Sequence, residues 1–117
     1  MNYLLMIYEN EQMTAQFTDE ERQKILDGYG TFTQKILGQG IMEGGNQLTP
    51  TSSATTVRVR EGKVLTTDGP FAETKEQITG YYLIKCNDLD QAIEIATQMP
   101  SVTYGSIEIR PIHSLNS

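Results

Sequence analysis

The chain has 117 residues, of which 38% are apolar and 21% charged, with a formal net charge of -6. That suits one soluble domain with a modest core. No apolar run approaches the ~20 residues of a membrane span, and the nine Lys and Arg are scattered, so the basic face that nucleic acid or an anionic membrane requires is absent.

Tyr3 to Tyr8 (YLLMIY) is a near-continuous apolar run, the pattern of a strand covered on both faces. Thr18-Asp19-Glu20-Glu21 matches a capping box. Ile25, Tyr29, Phe32 and Ile36 then recur on one helical face. Gly28 and Gly30 lie inside that helix and each costs it up to ~1 kcal/mol relative to Ala, so packing must hold it. Gly38 or Gly40 is placed to end it. Ile41 to Leu48 reads as a short strand, and PTSSATT as a loop. Thr56 to Arg60 (TVRVR) alternates as a half-exposed strand does, and Glu61-Gly62 turns it into Lys63 to Thr67.

Thr79 to Cys86 (TGYYLIKC) is a further strand by its aromatic and branched content. Asn87 or Asp88 caps a second helix, with Leu89, Ala92, Ile93, Ala96 and Met99 on its inner face and Pro100 at its end. Ser106 to Ile112 is the last strand. The order β-α-β, hairpin, β-α-β gives a single α+β domain over residues 1–117. The expected fold is ferredoxin-like, a split β-α-β with an added β-hairpin. Right-handed crossovers place both helices on one sheet face. The other face is then apolar and bare: Tyr81 and Leu83 lie on it if Tyr82, Ile84 and Cys86 face the helices. Such a face is a liability unless a second copy covers it, so a homodimer enclosing a partly polar cavity is expected.

The N-terminus lacks a basic region and a cleavage site, and the single Cys86 cannot form an internal disulfide; both fit the cytoplasm. There is no CxxC, HExxH or phosphate-cradling loop, so no metal or cofactor is expected.

The richest stretch is TTDGPFAETKEQ, residues 66–77. An Asp-Gly turn normally lets the Asp bond the amide two residues on, but that residue is Pro70, which has no N–H. Gly69 precedes a proline and is expected to be extended. Two readings stand together. In one, Asp68 caps Phe71 and Phe71 plugs the core. In the other, a rigid corner holds the Asp68 carboxylate still in a pocket. Arg58, Glu108 and Arg110 point to the cavity if the apolar sides of their strands face the helices. Buried there, they need partners, and a network of Arg58, Asp68, Glu73, Glu108 and Arg110 would supply them, or bind a small anionic or carbonyl-bearing ligand. Glu76 and Tyr81 complete the candidate set, with Tyr8, Glu9 and Glu43 at strand ends near the cavity mouth.

The segments Asp68-Gly69-Pro70-Phe71-Ala72-Glu73-Thr74-Lys75-Glu76, Gly80-Tyr81-Tyr82-Leu83 and Ile107-Glu108-Ile109-Arg110-Pro111 resemble the DGPF-domain branch of the YCII-related family. Tyr3 to Tyr8, Thr56-Val57-Arg58 and Asp88 to Ala92 are similar to it too. The resemblance implies a small bacterial dimeric α+β barrel of unsettled function. Related barrels include isomerases, lyases and monooxygenases, and fold alone selects none of them. It also implies an association with extracytoplasmic-function sigma factors. The better-studied branch uses a His-Asp pair; this chain departs from that pattern, with its one histidine, His113, near the end. Two functions follow. One is cofactor-independent proton transfer, with Asp68 as general acid or base and Arg58 or Arg110 holding the substrate anion. The other is a non-catalytic ligand- or partner-binding module, with a link to sigma-factor control.

Overall fold

A computed structural model describes residues 1–113. The strands are β1 (Asn2–Glu9), β2 (Met42–Gln47), β3 (Thr55–Arg60), β4 (Lys63–Asp68), β5 (Gln77–Lys85) and β6 (Ser106–Pro111). The helices are α1 (Glu11–Thr14), α2 (Asp19–Gly38) and α3 (Leu89–Ala96), with short 3₁₀ turns at Thr51–Ser53 and Pro100–Thr103. Four strands form an antiparallel sheet in the order β2-β5-β1-β6. This is a mixed α+β fold consistent with the ferredoxin-like split β-α-β arrangement: β1 and β2, joined through α2, are separated by β5.

Local signals set the helices. Thr18 accepts from the Glu21 amide at 3.1 Å and Glu21 accepts from the Thr18 amide at 3.0 Å, closing the capping box. That second bond holds the Glu21 carboxyl below its usual range. Asp88 caps α3 by accepting from the Gln91 amide at 2.9 Å. Past α2, Gly40 has a φ of 71°, the left-handed stop that glycine permits. The short α1, capped by Asn10, has too few residues to show a periodicity in the sequence.

The core lies between the sheet and the helices. Tyr3, Leu5, Ile7 and Ile84 meet Phe32 and Ile36 of α2 and Ala92, Ile95 and Ala96 of α3. Register places Tyr82 beside Leu5 and Ile84 beside Tyr3, so Tyr82, Ile84 and the buried Cys86 face the helices as expected. The inner face of α3 differs from expectation. Ile95 is buried, whereas Leu89 and Ile93 are 48% and 46% exposed. The helix is rotated so that 92, 95, 96 and 99 form its stripe, and it ends at Ala96, with Pro100 opening the following 3₁₀ turn.

The hairpin departs more. β3 and β4 form a separate two-stranded sheet and make no substantial contact with any other element. The expected half-exposed strand is exposed on both sides: Val57, Val59 and Val64 are 62%, 58% and 69% exposed. Alternation is satisfied, but no helix lies beneath it. The radius of gyration is 16.3 Å, against about 13 Å for a compact domain of about this length.

The two helix glycines separate on packing. A Cβ at Gly28 would lie 2.9 Å from Pro100 Cγ, whereas one at Gly30 meets nothing within 4 Å. Gly30→Ala should therefore recover most of the helix-propensity difference, about 0.5–1 kcal/mol. Gly28→Ala should recover none of it. Paired thermal melts of the two variants check this.

Candidate functional site

The open face of the four-stranded sheet follows from register. Asn46, Tyr81, Met6 and Glu108 form one row across β2, β5, β1 and β6, and Gly44, Leu83, Leu4 and Arg110 form the next. Strand spacing makes Tyr81 to Glu108 about 10 Å. The middle of both rows is apolar and half-buried.

Polar groups stand at both ends. Asn46 Nδ2 donates to the Tyr81 hydroxyl at 2.9 Å. This bond leaves the phenolic proton free to donate elsewhere. Opposite it, Arg110 Nε donates to Glu108 Oε2 at 2.7 Å, with the Arg110 side chain 71% exposed. Both terminal guanidinium nitrogens are thus left for bidentate capture of a carboxylate or phosphate. Glu76 lies at the end of the same face, its Oε1 accepting from Ser106 Oγ at 3.0 Å. Tyr81, Glu108, Arg110 and Glu76 therefore share one surface.

Arg58, Asp68 and Glu73 lie elsewhere, on the hairpin and its corner. Val57 and Val59 do not face the helices, so Arg58 does not reach the sheet face of its own chain. Arg58 Nη2 donates to the Phe71 carbonyl at 3.3 Å. The Gly69 amide donates to Ala54 O at 2.7 Å and Thr56 Oγ1 donates to Gly69 O at 2.8 Å. The corner thus doubles back over the Thr56–Arg58 side of the hairpin. Gly69 is not extended as expected. Its φ is 104°, in the region that favours glycine. Phe71 does not plug the core; it is 79% exposed. Asp68 is exposed and makes no bond to the Phe71 amide. Among the described residues the only ion pair is Glu108–Arg110, and no group of three His, Cys, Asp or Glu is arranged to hold a metal.

Glu9 is also not at the mouth of the open face. It projects to the helix side into a polar cluster that sequence reasoning missed. The fully buried Ser101 donates through Oγ to Glu9 Oε2 at 2.6 Å and accepts from Tyr29 OH at 2.6 Å. Tyr104 OH donates to the same Glu9 oxygen at 2.7 Å. Burial pushes the Tyr29 hydroxyl up to about 12, and Tyr104 is pushed up for the same reason. The partners are far apart in the chain, so no local motif marks them. With Ser101 sealed from solvent, this is a structural clasp joining the end of β1, α2 and the Pro100–Thr103 turn. A shallow dish on the outer side of α2, near Leu26, Gly30 and Gln34, contains none of these groups.

The clasp makes two measurable statements. Ser101→Ala removes a hydroxyl that bonds Glu9, Tyr29 and, at 3.1 Å, Tyr104, and should cost about 1–3 kcal/mol in denaturant melts. Tyrosine titration adds a pH dependence. A phenol whose folded value lies above its unfolded value of about 10 lends stability that is complete below pH 10. That stability is lost as pH rises through about 12. Wild type should therefore lose stability above pH 10 more steeply than Tyr29→Phe/Tyr104→Phe, although the double variant starts lower at pH 7.

Comparison with known proteins gives the chain its kinship. It is 35% identical over 114 residues to "Uncharacterized protein R00369" of Rhizobium meliloti (strain 1021), a match covering 96% of this chain and 92% of that protein. The model of the YCII-related domain matches residues 1–116. The chain belongs to the YCII-related domain family.

Proposed function

We propose that the protein is a small-molecule-binding domain of the DGPF branch. It acts as a homodimer, a dimeric α+β barrel whose two open sheet faces meet around a partly polar cavity. The observation that carries this reading is the arrangement of the open face. An apolar strip of Leu4, Met6 and Leu83 runs between a hydroxyl donor, Tyr81, and a guanidinium, Arg110, whose terminal nitrogens are uncommitted. A flat apolar floor with donors about 12 Å apart suits a small aromatic or aliphatic molecule with an anionic group at one end and a carbonyl at the other. Few convergent polar groups over an apolar lining are what orient a small ligand.

Binding is preferred over proton transfer because Asp68, the expected acid or base, lies on the exposed hairpin rather than on this face. A general acid or base must stand within hydrogen-bond reach of the proton it moves.

A thermal-shift screen of small carboxylates bearing a carbonyl tests the reading. A hit should lose about tenfold or more in affinity with Arg110→Gln and with Tyr81→Phe, the scale of a lost hydrogen bond to a charged group. Binding that is indifferent to both substitutions sinks the assignment of this face. Deuterium wash-in decides between the two functions: a bound carbonyl compound that exchanges its α-hydrogen in D2O restores the catalytic reading.

A further inference from the structure

The hairpin is the least accounted-for part of the molecule. Its register pairs Val59 with Val64, Val57 with Thr66 and Thr55 with Asp68. Because strand side chains alternate, these six residues share one side. Arg58, Arg60 and Lys63 lie on the other side with Leu65, and the corner folds over only part of it, near Thr56 and Arg58. The valine side is bare. A two-stranded hairpin with an uncovered apolar side is at best marginal in water, so something outside the protomer covers it.

Area points to a second copy. The protomer exposes 8275 Å², against about 6,400 Å² for a compact monomer of its mass. The excess is more than the roughly 800 Å² that a standard interface takes from each partner, and the bare hairpin and the open sheet face both contribute to it.

We infer that the β3–β4 hairpin is an arm that packs its valine side on the partner protomer and carries Asp68, at the base of that side, into the interface. The carboxylate of the Asp-Gly-Pro-Phe corner then lies at the seam between the protomers. The inference rests on the dimer reading above, and the experiment separates the two.

Light scattering across a dilution series is measured for wild type, Val57→Asp/Val64→Asp and Asp68→Lys, with circular dichroism as the folding control. Both variants change exposed residues on an element that the protomer body does not contact, so the fold should be kept. The expected result is a wild-type dimer whose dissociation constant rises at least a hundredfold in the valine variant and at least tenfold in Asp68→Lys. A valine variant that dimerises like wild type overturns the arm but leaves the sheet-to-sheet dimer standing. Unchanged dimerisation in Asp68→Lys removes Asp68 from the seam and overturns that part. A wild type that is monomeric at micromolar concentration overturns both readings. A second readout does not depend on the variants folding normally. The chain has no tryptophan, so Thr66→Trp on the valine side is a sole reporter. Its emission should be blue-shifted in the dimer and move red on dilution. Water-like emission from a proven dimer overturns the arm.

Discussion

Two helices can cover only one face of a four-stranded sheet. β1 is apolar on both sides. Tyr3, Leu5 and Ile7 are buried beneath α2 and α3, whereas Leu4 and Met6 lie on the far side and are only half-buried. The central strand of a two-layer domain needs one apolar face; this one has two. The same holds next to it on β5, where Tyr82 and Ile84 serve the core and Tyr81 and Leu83 the open side. The surplus apolar face gives this fold somewhere to build an interface or a site.

The helix layer is held by more than apolar contact. The clasp of Glu9, Ser101, Tyr29 and Tyr104 ties the end of β1 to α2 and to the turn after α3. Its neighbours are packed closely: a side chain at Gly105 would run into the Tyr8 carbonyl oxygen. A carboxylate under two tyrosines and a serine resembles catalytic machinery at first glance, but the serine is fully buried and each hydroxyl is already spent on a neighbour. Satisfied buried polar networks of this kind fix a unique arrangement. Here the network ties the turn before β6 to the end of β1 and to α2, while the β1–β6 register places Glu108 and Arg110 on the opposite face.

Much of the layout was legible because local signals coincided. The capping box at Thr18 and Glu21, the stripe from Ile25 to Ile36 and the Asp88 cap all carry their information within a few residues. The sidedness of β5 and β6 followed from alternation alone. What was missed depends on position in space. Ser101 carries no mark of burial in a PSVT segment, and its partners lie 72 and 92 positions away. Ile95 and Ile93 are interchangeable in a short helix until the sheet fixes its rotation. The TVRVR alternation announced a strand with two unlike sides but not which side, if either, its own chain would cover. Phe71 was a natural core residue by type, and only the backbone path shows it exposed.

The Asp-Gly-Pro-Phe corner is the clearest case of local chemistry whose meaning depends on the global arrangement. Pro70 removes the amide that an Asp-Gly turn would offer to Asp68, and Gly69 supplies the positive φ that reverses the chain. Thr56, Ala54 and Arg58 then bond the backbone of the reversed segment. Each of these bonds goes to main-chain atoms, so the corner is braced without engaging the carboxylate. Register does the rest, because a residue opposite Thr55 must share its side with Val57 and Val59. Rigid bracing around an uncommitted charge is unexpected in a solvated turn, where a flexible loop would serve as well. It makes physical sense if the position of that charge relative to the apolar side of the hairpin matters. Those bonds tie the corner to β3, so the carboxylate and the valines are held in one unit.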